Sequence, residues 1–230
     1  MNMTNLVTFN KMEVYRLIDK FEKLDEEKRL NILRSALSVF ADKGYQDAST
    51  NKIVEGADIS KGTLFYYFKN KEGLYYYLID YSLEIIKNEY INHIDHTTLD
   101  IIKRMENNSK IKYQYFQKYP EVNYFLSTVL YSELEHLSVN YQEKFQDLIQ
   151  TSVKKMKNQQ NIQENLFKDN IKPEKAARII ELSIEGYFSE LANTFKQHQV
   201  KDIDFDTLWE EFDEYLDTLR EIFYKPFEEE

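Results

Sequence analysis

Apolar residues recur at three- and four-residue intervals along almost the whole chain, the pattern of amphipathic helices rather than of strands. Val14, Leu17, Ile18, Phe21 and Leu24 mark a short helix ahead of the main body. Asp25 is placed to cap a second helix, with Glu26 and Glu27 complementing its positive end, and Leu30, Leu33, Leu37 and Phe40 form a stripe that stops at Gly44. Ser49 or Thr50 caps a short third helix that turns Ile53 and Val54 inward. Asp58 and Ile59 make a tight turn, and Ser60 caps the helix KGTLFYYF, whose Leu64 and Phe68 face inward. Longer helices are expected over 72–94, 97–118, 121–137, 139–168, 174–198 and 205–224, with Pro120 and Pro173 at first-turn positions that tolerate proline.

Five glycines and three prolines in 230 residues leave too few corners for a sheet protein, so the fold class is all-α. The pattern divides into an N-terminal extension, partly helical, at 1–24, a three-helix helix-turn-helix domain at 25–71, and a larger C-terminal helical domain at 72–230. The extension leaves three roles open: packing on the domain, touching DNA, or a disordered arm. Zero cysteines remove disulfides, thiolate nucleophiles and cysteine-bound metals together. There is no secretion signal at the N-terminus and no apolar run of membrane-spanning length, so a cytoplasmic protein without a membrane partner is expected.

A net charge of -10 argues against nucleic acid until it is located along the chain. Residues 1–72 carry 12 lysines and arginines against 11 aspartates and glutamates, leaving 18 against 29 for the rest. The acidity is downstream, and Lys43, Lys52, Lys61, Lys69 and Lys71 cluster where two short helices are joined by a turn. That spacing is the one by which a second helix is laid into a major groove. The hydroxyls of Ser49, Thr50 and Ser60 stand at helix starts, where free amides favour a phosphate oxygen. Gly62 permits close approach of backbone to DNA, while Lys61, Thr63 and Tyr66 point toward the groove. Tyr67, Lys69 and Lys71 reach phosphates, and Asn51 completes the candidate contact set. Two such reading helices, about 34–36 Å apart, require a homodimer on double-stranded operator DNA.

The segment ISKGTLFYYFKNKEGLYYYLI, with ILRSALSVFADKGYQDASTNKIV before it, resembles the DNA-binding domain of the TetR family of bacterial transcription regulators. Ala36, Phe40, Gly44, Tyr45, Thr50 and Ile53 fall where that family carries an alanine, an aromatic residue, a Gly-aromatic pair, a hydroxyl and an isoleucine. Two positions depart from it: Asp58 stands where glycine is common in the turn, and Tyr66 replaces a frequent histidine. Asp tolerates left-handed backbone, so the turn survives. The resemblance implies a repressor released from its operator by a small-molecule effector, with a ligand site in the larger domain and dimerisation through the last two helices.

On that implication Ile180, Ile184, Phe188, Leu208, Phe212, Tyr215 and Leu219 are the candidate dimer face, though the same residues suit an internal core. Tyr113, Phe116, Tyr124, Phe125, Tyr131 and Tyr187 are candidate pocket residues, and an aromatic-rich core explains them as well. The aromatics suit an apolar or flat organic molecule and the acidic balance favours a cationic one. No cofactor or metal is expected: His93 with His96, and the single Glu-x-x-His unit of Glu133 and His136, fall short of the paired units a metal bundle needs. Phosphate loops, nucleophile elbows and zinc-hydrolase signatures are missing, so no enzyme is expected. The alternatives are an all-helical metal enzyme, or a protein-interaction module with a vestigial helix-turn-helix.

Overall fold

The structure, a computed structural model, describes residues 16–156, 162–197 and 204–226. Its helices are α1 (Glu26–Asp47), α2 (Thr50–Gly56), α3 (Lys61–Phe68), α4 (Lys71–Glu89), α5 (Ile101–Lys118), α6 (Pro120–Thr128), α7 (Val139–Met156), α8 (Pro173–Gln197) and α9 (Phe205–Phe223). A helical segment at 16–22 precedes α1. The fold is all-α, and an isolated antiparallel bridge between Phe167 and Tyr224 is the extended pairing among the described residues. No helix among the described residues is long and apolar enough to cross a membrane.

Local chemistry sets most boundaries. Asp25, Asp100 and Asp204 each accept backbone N–H bonds from the first turn of α1, α5 and α9, satisfying donors that a helix start leaves open. Pro120 and Pro173 open α6 and α8, where a missing N–H costs nothing. Two expected helices end early. The one begun near 72 stops at Glu89 and tightens into a 3-10 turn at Ile91–His93. The one expected to run to 168 is helical to Met156, and Phe167 is extended, held by its bridge and by ring contact with Tyr224 at 5.0 Å. The expected helical positions 10–15, 157–161 and 198 lie outside the described residues.

The chain forms two compact units: the described residues up to Glu84 with Pro120–Glu135, and Ile85–Tyr119 with the residues from His136 onward. The first unit therefore extends past residue 72 and takes in α6. Its core contains Phe40, Leu74, Leu78, Val122 and Phe125, all buried. Phe125 packs between Phe40 and Tyr75, ring centroids 6.3 and 5.6 Å away, and the Thr128 hydroxyl donates to the Ala41 carbonyl at 2.9 Å. Phe125 is thus core, not pocket wall, and Tyr124 and Tyr131 belong to the same unit.

Beyond α6 the backbone widens into one π-helical turn, Val129–Glu133, which ends on the carboxylate that secures the unit. Glu133 accepts the backbone N–H of Tyr45 and the hydroxyl of Tyr75. Burial, and next the bond to Glu133, raise the Tyr75 hydroxyl pKa, so it stays a donor. Gly44 admits this carboxylate: it has φ 67° and ψ -179°, a break within α1, and a Cβ there would collide with Glu133 Oε1. On the other side of the same turn, Lys71 Nζ donates to the carbonyls of Gln46 and Ala48, both at 3.0 Å, and stands over the Tyr45 ring at 4.9 Å.

In the second unit, α5, α8 and α9 share a core of Ile102, Ile180, Ile184, Phe212, Leu216 and Leu219. Four of the expected dimer residues, Ile180, Ile184, Phe212 and Leu219, are buried in it, while Phe188 and Tyr215 pack against it from partly buried positions. These side chains face the chain's own core, the second of the two accounts that their spacing allowed. Glu106 of α5 receives Lys103 at 3.0 Å, Lys110 at 2.6 Å and Arg220 of α9. Partial burial works against its ionisation, yet these donors prevail and hold the carboxyl well below the usual range.

Two variants test the make-up of the first unit. Phe125→Ala is expected to lower unfolding free energy by about 3–5 kcal/mol, as for a fully buried aromatic ring. Glu133→Ala leaves an amide and a hydroxyl without their acceptor and is expected to lower it by about 1–3 kcal/mol. Urea unfolding measures both, and unchanged midpoints would show that α6 and its π-turn do not belong to this unit.

Candidate nucleic-acid interface

The candidate surface is built on three short helices. In α2 the buried Ile53 lends its carbonyl to the Ser35 hydroxyl of α1 at 2.8 Å, which fixes α2 against α1. The turn to α3 is closed by Ile59 N–H on the Val54 carbonyl at 3.0 Å and by Asp58 at φ 51°. Ser60 caps α3 through a bond from the Thr63 amide at 3.0 Å, and Leu64 and Phe68 are buried beneath. Lys69 takes φ 66° and ends the helix, after which Asn70 Oδ1 accepts the Gly73 amide at 2.7 Å and starts α4. Neither Lys69's left-handed backbone nor Asn70's capping role was read from the sequence; both follow from a two-residue link between helices.

With that scaffold set, Asn51, Ser60, Lys61, Gly62, Tyr66 and Lys69 are exposed, and Ser49, Thr50, Thr63, Tyr67 and Lys71 are half-buried beside them. Lys61 Nζ donates to Asn51 Oδ1 at 3.1 Å, tying the exposed starts of α2 and α3 into one patch. The Ser60 and Thr63 hydroxyls lie 2.9 Å apart. Two N–H bonds of Lys71, expected at a phosphate, hold the α1–α2 turn in the free protein. Gly62 carries a different message. Among the described residues a Cβ on it meets only the Ser60 hydroxyl, at an ordinary 3.6 Å, so none of them calls for glycine there.

The N-terminal extension contributes what sequence reasoning left open. Phe21 is fully buried, edge-on to Phe68 at 4.7 Å and to Tyr67 at 5.5 Å, so it fills the space at the end of α3. Lys20 Nζ donates to the Tyr66 hydroxyl at 2.9 Å, adding a cation to the exposed face. The Leu17, Phe21 spacing was the available signal, but it does not say which partner the stripe covers.

The six candidate pocket aromatics do not converge. Phe116 and Tyr187 line a cavity in the second unit, together with Lys112, Phe188, Trp209 and Phe212 among others. Tyr113 is beside it, donating to Asp206 at 2.6 Å, while Tyr124, Phe125 and Tyr131 are in the first unit. Leu208, first read as a dimer residue, also lines this cavity. Glu133, considered with His136 as half of a metal site, is committed to Tyr45 and Tyr75.

Residues 32–78 match the family model of bacterial regulatory proteins, tetR family. An uncharacterised HTH-type transcriptional regulator of Bacillus subtilis is 39% identical over 56 residues, 24% of this chain and 19% of that protein. An HTH-type transcriptional regulator of Staphylococcus aureus strain USA300 is 28% identical over 118 residues, 47% of this chain and 64% of that one. The chain thus spans less than two thirds of the length of these curated relatives. In fold the likeness reaches further: a TetR-like transcriptional regulator from Rhodococcus sp. RHA1 superposes with a TM-score of 0.54 at 16% identity, covering 86% of this chain and 96% of that one. The family model covers residues 32–78, and the fold over most of the chain resembles that of the solved TetR-like regulator.

Proposed function

We propose that this chain, whose residues 32–78 carry the DNA-binding segment of the TetR family, acts as a homodimeric transcription repressor released from operator DNA by a small molecule. The observation that carries the reading is the exposed edge of α3. It offers Lys61, Gly62 and Tyr66 to solvent on a helix whose opposite side is buried, and no packing among the described residues requires its glycine. A helix laid in a major groove brings its first turn close to the bases and sugar-phosphate edges, and there a missing side chain matters. Ser49, Thr50 and Lys69 flank this edge as phosphate contacts, which position without reading sequence.

A single eight-residue helix reads too few base pairs, so two copies are required. The dimer face we propose is the outer side of α8 and α9. Ile179 and Leu182 are each 49% exposed and Ile222 50%, and nothing among the described residues lies within 4 Å of a Cβ built at Gly186. Positions 179, 182 and 186 fall on one helical stripe, with a glycine that allows close approach of a second helix. Release requires the effector to bind the DNA-competent and incompetent states with different affinity. The chain passes between the two units three times, near residues 84, 119 and 135, and the last crossing follows directly on Glu133.

Gel shifts with genomic fragments at rising salt test the DNA reading. Gly62→Ala is expected to leave the melting temperature unchanged or raise it, by up to about 1 kcal/mol in stability. Its affinity for the preferred fragment should fall about tenfold, ~1.4 kcal/mol. Equal affinity in the two proteins contradicts the assignment of α3 as the reading helix. Leu182→Asp is expected to convert the dimer to a monomer by light scattering, and a persistent dimer would move the interface elsewhere.

A further inference from the structure

The segment before α1 brings to the exposed face of α3 a cation that packing does not account for. Leu17 and Phe21, one turn apart, are both buried, which fixes the helical segment at 16–22 in rotation. Its carboxylates are matched within the fold. Asp19 receives Lys23 at 2.7 Å, and Glu22 receives Arg29 at 3.2 Å and the Tyr77 hydroxyl. Lys20 has no carboxylate partner among the described residues; its ammonium crosses to α3 and donates to the Tyr66 hydroxyl at 2.9 Å. Both side chains are exposed, and an exposed bond of this kind adds little to folding, because water serves either group nearly as well.

The bond does set directions. By accepting from Lys20, the Tyr66 oxygen leaves its own hydrogen to donate elsewhere, and an ammonium carries further N–H groups beyond the one it uses here. The Tyr66 ring stands edge-on to Tyr67 at 5.0 Å, and Tyr67 in turn meets the buried Phe21 at 5.5 Å. Two donors, one of them charged, are thus held side by side on the solvent face of α3. A phosphate group, with two charged oxygens to offer, accepts from both at once through short charge-assisted bonds. We propose that Lys20 and Tyr66 form a clamp on a single DNA phosphate. The clamp makes the segment before α1 a DNA-contacting element. It also gives Tyr66, expected in the groove, a backbone contact that positions the protein without reading sequence.

The proposal rests on the DNA reading above, and the experiment separates the two. The full chain is titrated, over a series of salt concentrations, against the genomic fragment it selects and against a random-sequence duplex of equal length. Lys20→Met is expected to weaken binding of both duplexes by the same factor, about tenfold, ~1.4 kcal/mol. A dimer loses two ammonium–phosphate contacts, so the plot of log K against log salt becomes shallower by about 1.8. Lys20→Arg, which keeps the charge, retains the slope. Tyr66→Phe removes a neutral donor and weakens both duplexes with the slope unchanged. Because the two groups share one phosphate, the double variant should lose less than the product of the two single losses. Melting temperatures of all four variants are expected to match that of the unaltered chain, which sets loss of contact apart from loss of fold. A preferred fragment that Lys20→Met binds with unaltered affinity and slope overturns the clamp and leaves the DNA reading standing. A loss confined to the preferred fragment, the mark of a base contact, or a double loss equal to the product of the single ones does the same. No preferred fragment for the unaltered chain removes both.

Discussion

One turn of backbone, residues 44–48, is gripped by two opposite charges, and the placement of the proposed DNA-reading surface follows from it. The Glu133 carboxylate takes the N–H of Tyr45, and the Lys71 ammonium takes the carbonyls of Gln46 and Ala48. Each charge meets the end of the peptide dipole it attracts, in a half-buried setting where such bonds are stronger than in water. Gly44 is the condition for both, since its left-handed backbone breaks α1 and its missing side chain admits the carboxylate. Immediately after this turn Ser49 and Thr50 begin α2, and α2 in turn sets α3 through a link of a few residues. A carboxylate 88 positions away in the chain thereby fixes the start of the helix-turn-helix.

The same unit is completed from its other end by the extension before α1. Phe21 fills the space between Phe68 and Tyr67, and Lys20 meets Tyr66 on the exposed side. Helix α3 is therefore short but supported, by Leu64 and Phe68 beneath and by Phe21 at its end. Its outer edge leaves Lys61 and Gly62 exposed. Such division of labour, a rigid back and a chemically varied front, is what a groove-reading helix needs if side-chain positions are to carry information.

Much of this was legible in the sequence, for reasons that are local. Asp25, Ser60, Pro120 and Pro173 announce helix starts by their own chemistry, and Asp58 was identified as the residue that would take a left-handed turn, as its φ of 51° shows. What was illegible is non-local. Ile180 and Ile179 differ by one position; the first is buried and the second half-exposed, and an apolar stripe does not say whether its partner is the same chain or another. Phe125 and Phe116 are equally aromatic, yet one is the core of the first unit and the other a cavity wall in the second. Lys112 reads in sequence as an ordinary surface lysine of an amphipathic helix. The fold sets its ammonium over the Phe116 and Phe188 rings, at 5.9 and 5.2 Å, which no sequence pattern announces.

The account makes the exposed edge of α3, doubled by symmetry, the part of the molecule that touches DNA. Footprinting on the genomic fragment that the full chain selects tests this most directly. Two protected half-sites of inverted sequence are predicted, with centres about one helical turn, ~34–36 Å, apart or a multiple of it. Uniform protection without a preferred fragment, or a single half-site bound by one copy, would contradict it.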